Sequence, residues 1–480
     1  MTINLLTNWA KKLFWILIIV ESISFWSYIK PELTVYAFVL LVGICLIASI
    51  RNIEWGIYML LTEVFLSSHG RMLSLDIGGL AVSLRYGLFA AVFLASIYWL
   101  FRKDNFKHVL GRIYKYKSLI FLLIFIAIGI IQGVVINGFS TSFYDWNSYL
   151  FLLLIPAFLM IKNTDFILNI TRIIFIVANW LFIKTYIYLY VFSHHTDWLD
   201  LSLLYKFFRD TRVGEITYVT QNFYRIFMPA QVFAAITFIL VVFVLILYKQ
   251  GKLSVKDQWF AYVTLFTSSL TVMASFSRSN WLGLAIALVF LFTYLLSKYK
   301  IPKLKLGAAI IMLTVVLFIN IGFMYTWTGS WQQRIVSSRI DSLDEAAFSS
   351  RTAQLKPLLY EIGKSPVWGY GFGKTVTYQS DDPRIKNEAN PNGIYNTQAF
   401  EWGYLDIWLK MGLFGLLSYL GIIYGLLLKN LKYGHFEGKI QVLKAGFGIG
   451  LLLICIISIF SPYMNHPLGF SMLLINLVNE

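Results

Sequence analysis

Three ionisable residues stand where long apolar stretches of the chain begin, and their types suit chemistry on an anionic substrate. Arg278 lies in Ser275-Phe276-Ser277-Arg278-Ser279-Asn280-Trp281, a short polar break between two apolar stretches. Arg225 precedes another apolar stretch, and Glu401 stands at the start of a third. A guanidinium group stays charged and offers forked donors that match phosphate oxygens. A carboxylate that is partly withdrawn from water suits a general base working near neutral pH.

Each of these residues also has a purely structural interpretation. Arg278 could extend its charge to lipid headgroups while its stem stays in an apolar environment. Arg225 could anchor a helix end, and Glu401 could cap a helix N-terminus, where the helix dipole favours a negative charge. The sequence leaves these alternatives open.

A turn rich in glycine follows a helical segment that begins at Arg351. Apolar residues recur at helical spacing from Leu355 to Ile362, which predicts an amphipathic helix on a membrane surface. The turn then reads Pro366-Val367-Trp368-Gly369-Tyr370-Gly371-Phe372-Gly373. Glycines at alternate positions suit a tight turn where backbone amides approach a partner closely. The turn could bind phosphate or be structural, and it lacks the Lys-Ser/Thr of a P-loop.

The elements that position these residues must lie in a membrane, because the composition is too apolar for a water-soluble protein. Of 480 residues, 58% are apolar and only 13% are charged, which excludes a water-soluble enzyme. Thirteen apolar runs are long enough to be membrane spans, or nearly so. They lie near residues 13–29, 33–50, 53–66, 81–101, 118–136, 148–161, 166–193, 229–248, 259–276, 281–297, 307–325, 402–428 and 445–461. The predicted fold is all-α and polytopic, with about 12 to 14 transmembrane helices.

The excess of 16 positive charges is explained mainly by topology. With the N-terminus in the cytoplasm, strict alternation places 21 of the 40 Lys and Arg residues in cytoplasmic segments and few in the short loops opposite. A nucleic-acid partner is therefore not needed. The two cysteines, Cys45 and Cys455, both lie in apolar runs and support neither a disulfide framework nor a metal site.

Alternation also leaves two long segments on the outer side, and these divide the chain. The predicted units are N-terminal transmembrane helices over 1–193, a first long outer loop over 194–228, transmembrane helices with the Arg278 turn over 229–325, a large outer loop over 326–401, and C-terminal transmembrane helices over 402–480. The outer segments carry Arg209, Arg212, Arg225, Arg278, Arg334, Arg339 and Arg351. The large outer loop also holds Trp327, Trp331 and Trp368, which could form an interfacial belt or a lid that stacks on sugars.

Because ionisable residues lie inside the predicted spans, a transporter remains an alternative class for this protein. They are Glu21, Glu63, Arg85, Arg172 and Lys184. Transporters place such groups near the midplane and often consist of two related halves. The chain shows no half-repeat, and its large one-sided outer loop favours an enzyme. No His, Cys or carboxylate cluster has the spacing of a metal site.

Three short features carry a family resemblance: they are the Ser275–Trp281 element, the stretch from Arg351 to Gly373, and Tyr404-Leu405 followed by Gly412-Leu413. Together they resemble the bacterial O-antigen ligase and Wzy-type polymerase family over roughly residues 220–425. The resemblance implies a GT-C-like membrane glycosyltransferase of the bacterial inner membrane, with its active site on the periplasmic or outer face. Its donor would be an undecaprenyl-pyrophosphate-linked glycan and its acceptor a second lipid-linked repeat or lipid A-core. Membrane lipids and a chain-length regulator or flippase would be further partners, with no cofactor.

By the same resemblance, Arg225 and Arg278 match the two arginines that bind the pyrophosphate, and Arg351 would assist them. The turn residues Trp368, Gly369, Tyr370, Gly371 and Gly373, with Tyr404, would form a substrate loop. Ligases carry His-Asn where this chain has Glu401-Trp402. Glu401 would then take over as the base, and its presence favours a polymerase over a ligase.

Overall fold

The computed structural model describes residues 4–102, 105–220, 222–249, 253–299, 303–329, 346–382, 385–432 and 439–478. Trp331, Arg334 and Arg339 of the large outer loop lie outside the described residues. Within these ranges the chain is mainly helical. The helices of the first half are α1 (Asn8–Ile29), α2 (Glu32–Arg51), α3 (Ile53–Leu66), α4 (Leu84–Leu100), α5 (Asn105–Lys115), α6 (Lys117–Asn137), α7 (Phe139–Trp146), α8 (Ile155–Leu159), α9 (Phe166–Ser193) and α10 (Leu201–Asp210).

The described part of the second half is also mainly helical. These helices are α11 (Val232–Lys249), α12 (Val255–Ala274), α13 (Arg278–Tyr299), α14 (Lys303–Thr328), α15 (Ala346–Lys364), α16 (Gly403–Lys432), α17 (Lys439–Ile457) and α18 (Pro467–Leu477). Side-chain caps fix several helix starts: Thr7 accepts from Ala10 N, and Ser254 accepts from Asp257 N. Fully buried phenylalanines of α3, α9, α11 and α17 lie in the core, including Phe65, Phe175, Phe233 and Phe447.

The predicted class, an all-α polytopic membrane protein, is confirmed. Seven of the described helices are long and apolar enough to cross a membrane, namely α1, α2, α6, α9, α13, α16 and α17. The bent pair of α4 and α5 adds an eighth if it forms one span. Some of the other predicted spans are helical but shorter, such as α3 with 14 residues. The run at 148–161 is a 3-10 helix, Asn147–Leu154, followed by α8, and most of its side chains are buried inside the bundle.

Three short antiparallel hairpins, which the sequence patterns did not reveal, stand between the helices. They pair β1 (Ser74–Ile77) with β2 (Leu80–Ser83), β3 (Glu215–Thr220) with β4 (Phe223–Phe227), and β5 (Val376–Gln379) with β6 (Ile394–Thr397). The β3–β4 and β5–β6 hairpins lie in segments predicted to be on the outer side, whereas most of β2 falls within the predicted span at 81–101, so that helix begins later than predicted, at Leu84. Strands of four to six residues are too short to show a clear period in the sequence.

Contacts divide the connecting segments into two sets that match the predicted alternation. At the ends predicted outside, Tyr28 Oη at the end of one span donates to Asp210 at 2.8 Å, and Ser148 Oγ at the start of another donates to the Asn465 carbonyl at 2.8 Å. The segments predicted inside also meet one another. There Leu5 N donates to Asp257 at 2.8 Å, Asn163 Nδ2 to Glu54 at 2.9 Å, and Lys429 Nζ to Tyr116 Oη at 2.7 Å. Which set faces the cytoplasm stays a prediction.

Candidate functional site

The link between α12 and α13 is a compact turn that presents Arg278 at a helix N-terminus. Ser277 Oγ accepts from the Asn280 amide, so Ser277 caps the helix that Arg278 begins. The Trp281 indole donates back to the Val272 carbonyl at 3.0 Å and closes the turn. Phe276 adopts a φ of 48° at its centre. Free backbone amides and the helix dipole favour an anion at such a terminus.

Arg225 lies on β4 and reaches the same turn. Its Nε donates to the Ser275 carbonyl at 2.9 Å, and its guanidinium stands 4.6 Å from the centre of the Phe227 ring. In the hairpin Arg225 is opposite Thr217 of β3. The hairpin therefore brings Arg225, 53 positions before Arg278 in the chain, to the turn that carries Arg278.

Arg351 and Glu401 form an ion pair between the first half of α15 and the segment that precedes α16, two residues before its start. Arg351 Nε donates to Glu401 Oε2. Two further contacts hold the pair: the Glu401 amide donates to Gln354 Oε1 at 3.2 Å, and the Trp402 indole donates to the Arg351 carbonyl at 3.0 Å. About a third of each charged side chain stays exposed, 32% for Arg351 and 38% for Glu401. The predicted base thus has a fixed cationic partner.

Two of the predicted arginines, Arg278 and Arg351, act electrostatically on the third, Arg225. Burial lowers the pKa of Arg225, Glu215 opposes that shift, and the charges of Arg351 and Arg278 lower it further. Next to Arg278, Asn280 is fully buried, and its side-chain atoms have no hydrogen-bond partner within the described part of the chain. Such orphaned groups are normally satisfied by water or a ligand. The arrangement concentrates positive charge and unused polar capacity at one end of the bundle.

The glycine turn is occupied by protein partners rather than open to a ligand. The amides of Tyr370 and Gly371 donate to the carbonyls of Leu409 and Lys410, at 2.9 and 3.0 Å. The Gly373 amide donates to Asp145 Oδ2 at 2.7 Å. At Gly371, φ is +76° and a Cβ would stand 2.3 Å from the Gly133 nitrogen of α6. The turn therefore clamps α6 to α16, which supports the structural interpretation, and its role as a substrate loop stays a prediction.

The two predicted aromatic substrate contacts lie in different surroundings. Trp368 is 58% exposed and, with one face of α6, lines an apolar groove of about 420 Å³. Tyr404 belongs to α16, and its hydroxyl donates to the Cys455 carbonyl of α17 at 2.8 Å. Tyr404 thus joins two helices, whereas Trp368 is free to contact a molecule at the membrane surface.

Most of the ionisable residues inside predicted spans are paired with one another. Lys184 of α9 contacts Glu21 of α1 at 2.7 Å, and Arg85 of α4 contacts Glu63 of α3 at 2.8 Å. Arg172 donates to the Asn4 carbonyl and to Asn169. These pairs link helices inside the bundle, so the intramembrane charges that suggested a transporter have structural partners.

A buried charge network that the sequence patterns did not predict involves the first turns of α16, the helix that follows Glu401. Lys410 Nζ contacts both Asp145 and Asp406 at 2.5 Å, and Asn465 Nδ2 donates to Asp406 Oδ2 at 2.6 Å. Lys410 is 4% exposed. Asp406 and Lys410 stand four positions apart in a predicted span, a spacing that could have signalled an intrahelical pair. Asp145 is 265 positions away from Lys410, and no sequence pattern connects them.

No group of three or more His, Cys, Asp or Glu side chains that could hold a metal ion occurs among the residues that the structure describes.

Fold and site together define a polytopic helical membrane protein with a cationic centre at one end of its bundle. Residues 263–420 match the family described as O-Antigen ligase, so this part of the chain is similar to that family. The matched stretch includes Arg278, Arg351, Glu401 and the glycine turn, whereas Arg225 precedes it. No curated protein and no solved structure matches the chain significantly. The family supports glycan processing in a bacterial membrane, with lipid-linked glycan and acceptor substrates.

Proposed function

We propose that this protein transfers a glycan from a polyprenyl pyrophosphate to an acceptor sugar hydroxyl, and that it thereby polymerises lipid-linked repeats on the outer face of the inner membrane. The observation that carries the proposal is the contact between Arg225 and the turn that presents Arg278, together with the ion pair of Arg351 and Glu401, whose arginine acts electrostatically on Arg225. Three guanidinium groups beside a helix N-terminus suit a pyrophosphate, which carries several negative charges on closely spaced oxygens.

In the proposed reaction the acceptor hydroxyl oxygen attacks the anomeric carbon of the donor glycan. The bond between that carbon and the pyrophosphate oxygen breaks, and the polyprenyl pyrophosphate leaves with the bonding electron pair. Attack from the opposite face inverts the anomeric centre. Arg225 and Arg278 stabilise the negative charge that grows on the leaving group. Stabilisation of such developing charge is usually the largest single contribution of an enzyme to lowering the activation barrier. The proposal needs no metal ion.

Glu401 is the proposed base, and Arg351 is its positioning residue. The carboxylate would accept the proton of the attacking hydroxyl. Arg351 Nε holds Glu401 Oε2, while the second carboxylate oxygen, Oε1, makes no contact to Arg351 that the structure records. A carboxylate fixed through one oxygen can present the other in a defined direction. Both side chains are partly exposed, so an acceptor hydroxyl can reach the Glu401 carboxylate.

A ligase is the second candidate, because the matching family carries that description. The two functions share the donor chemistry and differ only in the acceptor. We favour a polymerase because glutamate occupies the position where ligases of the family carry the histidine of His-Asn.

The test is reconstitution of the purified protein in lipid nanodiscs with a polyprenyl-pyrophosphate-linked repeat. We expect longer lipid-linked glycans, seen as a ladder by electrophoresis or mass spectrometry. Arg225→Gln and Arg278→Gln should each lower turnover by about 10² or more, since each removes a charge that faces the leaving group. Transfer to a second acceptor without chain extension would identify a ligase.

The matched control is Arg209→Gln. Arg209 lies on α10 in an outer segment, is 59% exposed and pairs with its neighbour Asp210. It should leave turnover unchanged because it lies outside the arginine cluster. If Arg278→Gln turns over as fast as Arg209→Gln, the pyrophosphate assignment is wrong.

A further inference from the structure

The buried charge network on α16 reaches the segment that carries Glu401. Residues 398–402 form the link between β6 and α16 and contain neither helix nor strand. Lys410 Nζ donates to the Gln398 carbonyl at 3.1 Å, in addition to its contacts with Asp145 and Asp406. The network therefore holds the backbone three residues before the proposed base.

The contact with Gln398 is not needed to balance the charge of Lys410. An ammonium group has three N–H donors, and Lys410 Nζ has three oxygen atoms within 3.1 Å, namely Asp145 Oδ1, Asp406 Oδ1 and the Gln398 carbonyl oxygen. One carboxylate would already neutralise the ammonium, and two are present. The third contact therefore serves the position of the link rather than the pairing of charges.

Two further contacts hold the same link. The Phe400 side chain is buried in a small apolar cluster between α15 and α16, and its ring centre lies 5.7 Å from Lys410 Nζ. The Glu401 amide donates to Gln354 Oε1 of α15. Because the link is held at Gln398, at Phe400 and at Glu401, the backbone of the proposed base has one defined location beside the start of α16.

The network is itself fixed to other parts of the bundle. Asp145, on α7, accepts through Oδ2 from the Gly373 amide of the glycine turn at 2.7 Å. Asp406 accepts through Oδ2 from Asn465 Nδ2, in the turn that precedes α18, at 2.6 Å. Lys410 can move only if these contacts also change, so its ammonium is a rigid support for the Gln398 carbonyl.

Buried charges of this kind are not explained by stability alone. The side chains of Lys410, Asp145 and Asp406 are 4%, 10% and 7% exposed. Replacing a buried ion pair by well-packed apolar residues is often neutral or stabilising, because removing charges from water costs about as much as their attraction returns. An apolar residue at position 410 could pack there but could not donate to the Gln398 carbonyl.

We propose that Lys410 is a positioning residue for Glu401, and that it fixes, through the Gln398 carbonyl, the place from which the carboxylate accepts the proton of the acceptor hydroxyl. This inference rests on the proposed function, in which Glu401 is the base. Lys410 is buried, so it acts through Glu401 and not on the substrate itself. Arg351 orients the carboxylate from α15, while Lys410 holds the backbone of its link from α16.

The test removes the ammonium and keeps the hydrogen bonds around it. The triple variant Lys410→Met, Asp145→Asn and Asp406→Asn has no charge in the network, and its amide oxygens can still accept from Gly373 and Asn465. In the chain-extension assay its kcat should fall at least about tenfold with the donor KM nearly unchanged. A misplacement of about 1 Å in a reacting group can cost about 10²-fold in rate.

Two controls match this change. Lys184→Met with Glu21→Gln removes another buried ion pair, between α9 and α1, and should keep the wild-type kcat. Asp406→Asn alone leaves Lys410 with Asp145 and the Gln398 carbonyl, and it should also keep the wild-type kcat. A triple variant as active as these controls would overturn the inference.

A double-mutant cycle separates positioning from a general loss of structure. In the Glu401→Gln background, the triple change should lower kcat by less than about twofold further, since the base whose position it sets is already absent. An additional loss of about tenfold would show that the network acts independently of Glu401 and would contradict the inference.

Hydrogen exchange gives a readout that does not depend on activity. The amides of residues 398–402 should exchange at least about tenfold faster in the triple variant than in the wild type, with no change in the Lys184 and Glu21 control. Unchanged exchange would also overturn the inference. If the wild type makes no longer glycans, the proposed function fails, and exchange alone then decides whether Lys410 holds Glu401 in place.

If the triple variant does not elute as a folded protein, an insertion decides. One glycine added after Ala399 separates Gln398 from Glu401 and leaves the charge network in place. It should lower kcat at least about tenfold. The control is the same insertion between Gly78 and Gly79, in the exposed turn of the β1–β2 hairpin, which should not change kcat. Equal activity of the two insertions would show that the Gln398 contact does not position the base.

Discussion

At the scale of single residues, the decisive relation is the ion pair between Glu401 and Arg351. The sequence suggested Arg351 as a pyrophosphate ligand and Glu401 as an independent base, and the structure joins them. Their separation by 50 positions explains why spacing could not pair them. Contacts from Gln354 and Trp402 hold the same two residues, so the ion pair is fixed on both sides, by α15 and by the segment that precedes α16.

The base assignment predicts a specific difference between two substitutions of Glu401. Glu401→Gln keeps the size and a hydrogen bond but cannot accept the proton, so kcat should fall by about 10² or more with the donor KM nearly unchanged. Glu401→Asp keeps the carboxylate and should retain more activity than the glutamine variant. The measurement is single-turnover chain extension with saturating lipid-linked repeat. Wild-type turnover by Glu401→Gln would show that another group accepts the proton.

At the scale of elements, the sequence predicts helices well and the hairpins poorly. Apolar runs identify α1, α2, α6 and α9 because each run is long enough to be recognised as a membrane-spanning helix from the sequence alone. The pairing of β3 with β4 depends on long-range packing, yet it decides where Arg225 lies. The glycine turn was predicted as a turn, but its partners on α6 and α16 could not be inferred from one sequence.

The kink of α16 at Gly412 gives a test of that clamp. Gly412 has a φ of +69°, and a Cβ there would stand 2.0 Å from the Val367 carbonyl oxygen. Gly412→Ala should therefore destabilise the protein by about 2 kcal/mol or more and lower its melting temperature in detergent. Gly425→Ala is the matched control on the same helix, since a Cβ there meets nothing within 4 Å. Equal melting temperatures for the two variants would contradict the clamp.

At the scale of the whole molecule, the distribution of basic residues and the contacts between connecting segments divide the bundle into the same two ends. The basic segments predicted to be cytoplasmic include those around Lys429 and Arg112, which lie at the end where Leu5 meets Asp257. Arg225, Arg278 and Arg351 lie in segments assigned to the other end. The net charge of +16 thus serves orientation at one end and, in our proposal, anion binding at the other.

The orientation itself can be tested by cysteine labelling in intact cells. Both native cysteines are buried, so the background should be low. Ser74→Cys, on the exposed part of β1, should react with a membrane-impermeant maleimide in intact cells. Arg51→Cys, at the end of α2, should react only after the membrane is permeabilised. The reverse pattern would invert the topology and move the arginine cluster to the cytoplasm.

The network around Lys410 also bears on how the chain is assembled during synthesis. Asp145 enters the membrane region long before Lys410 is made, and until then its carboxylate has no cation to meet. A buried carboxylate without its partner is strongly unfavourable, so the outer end should stay loosely packed until α16 is inserted. We expect this arrangement to delay completion of the proposed glycan site until α16 has been made and inserted. Chains that stop short of residue 410 should therefore be recognised by membrane proteases as incomplete.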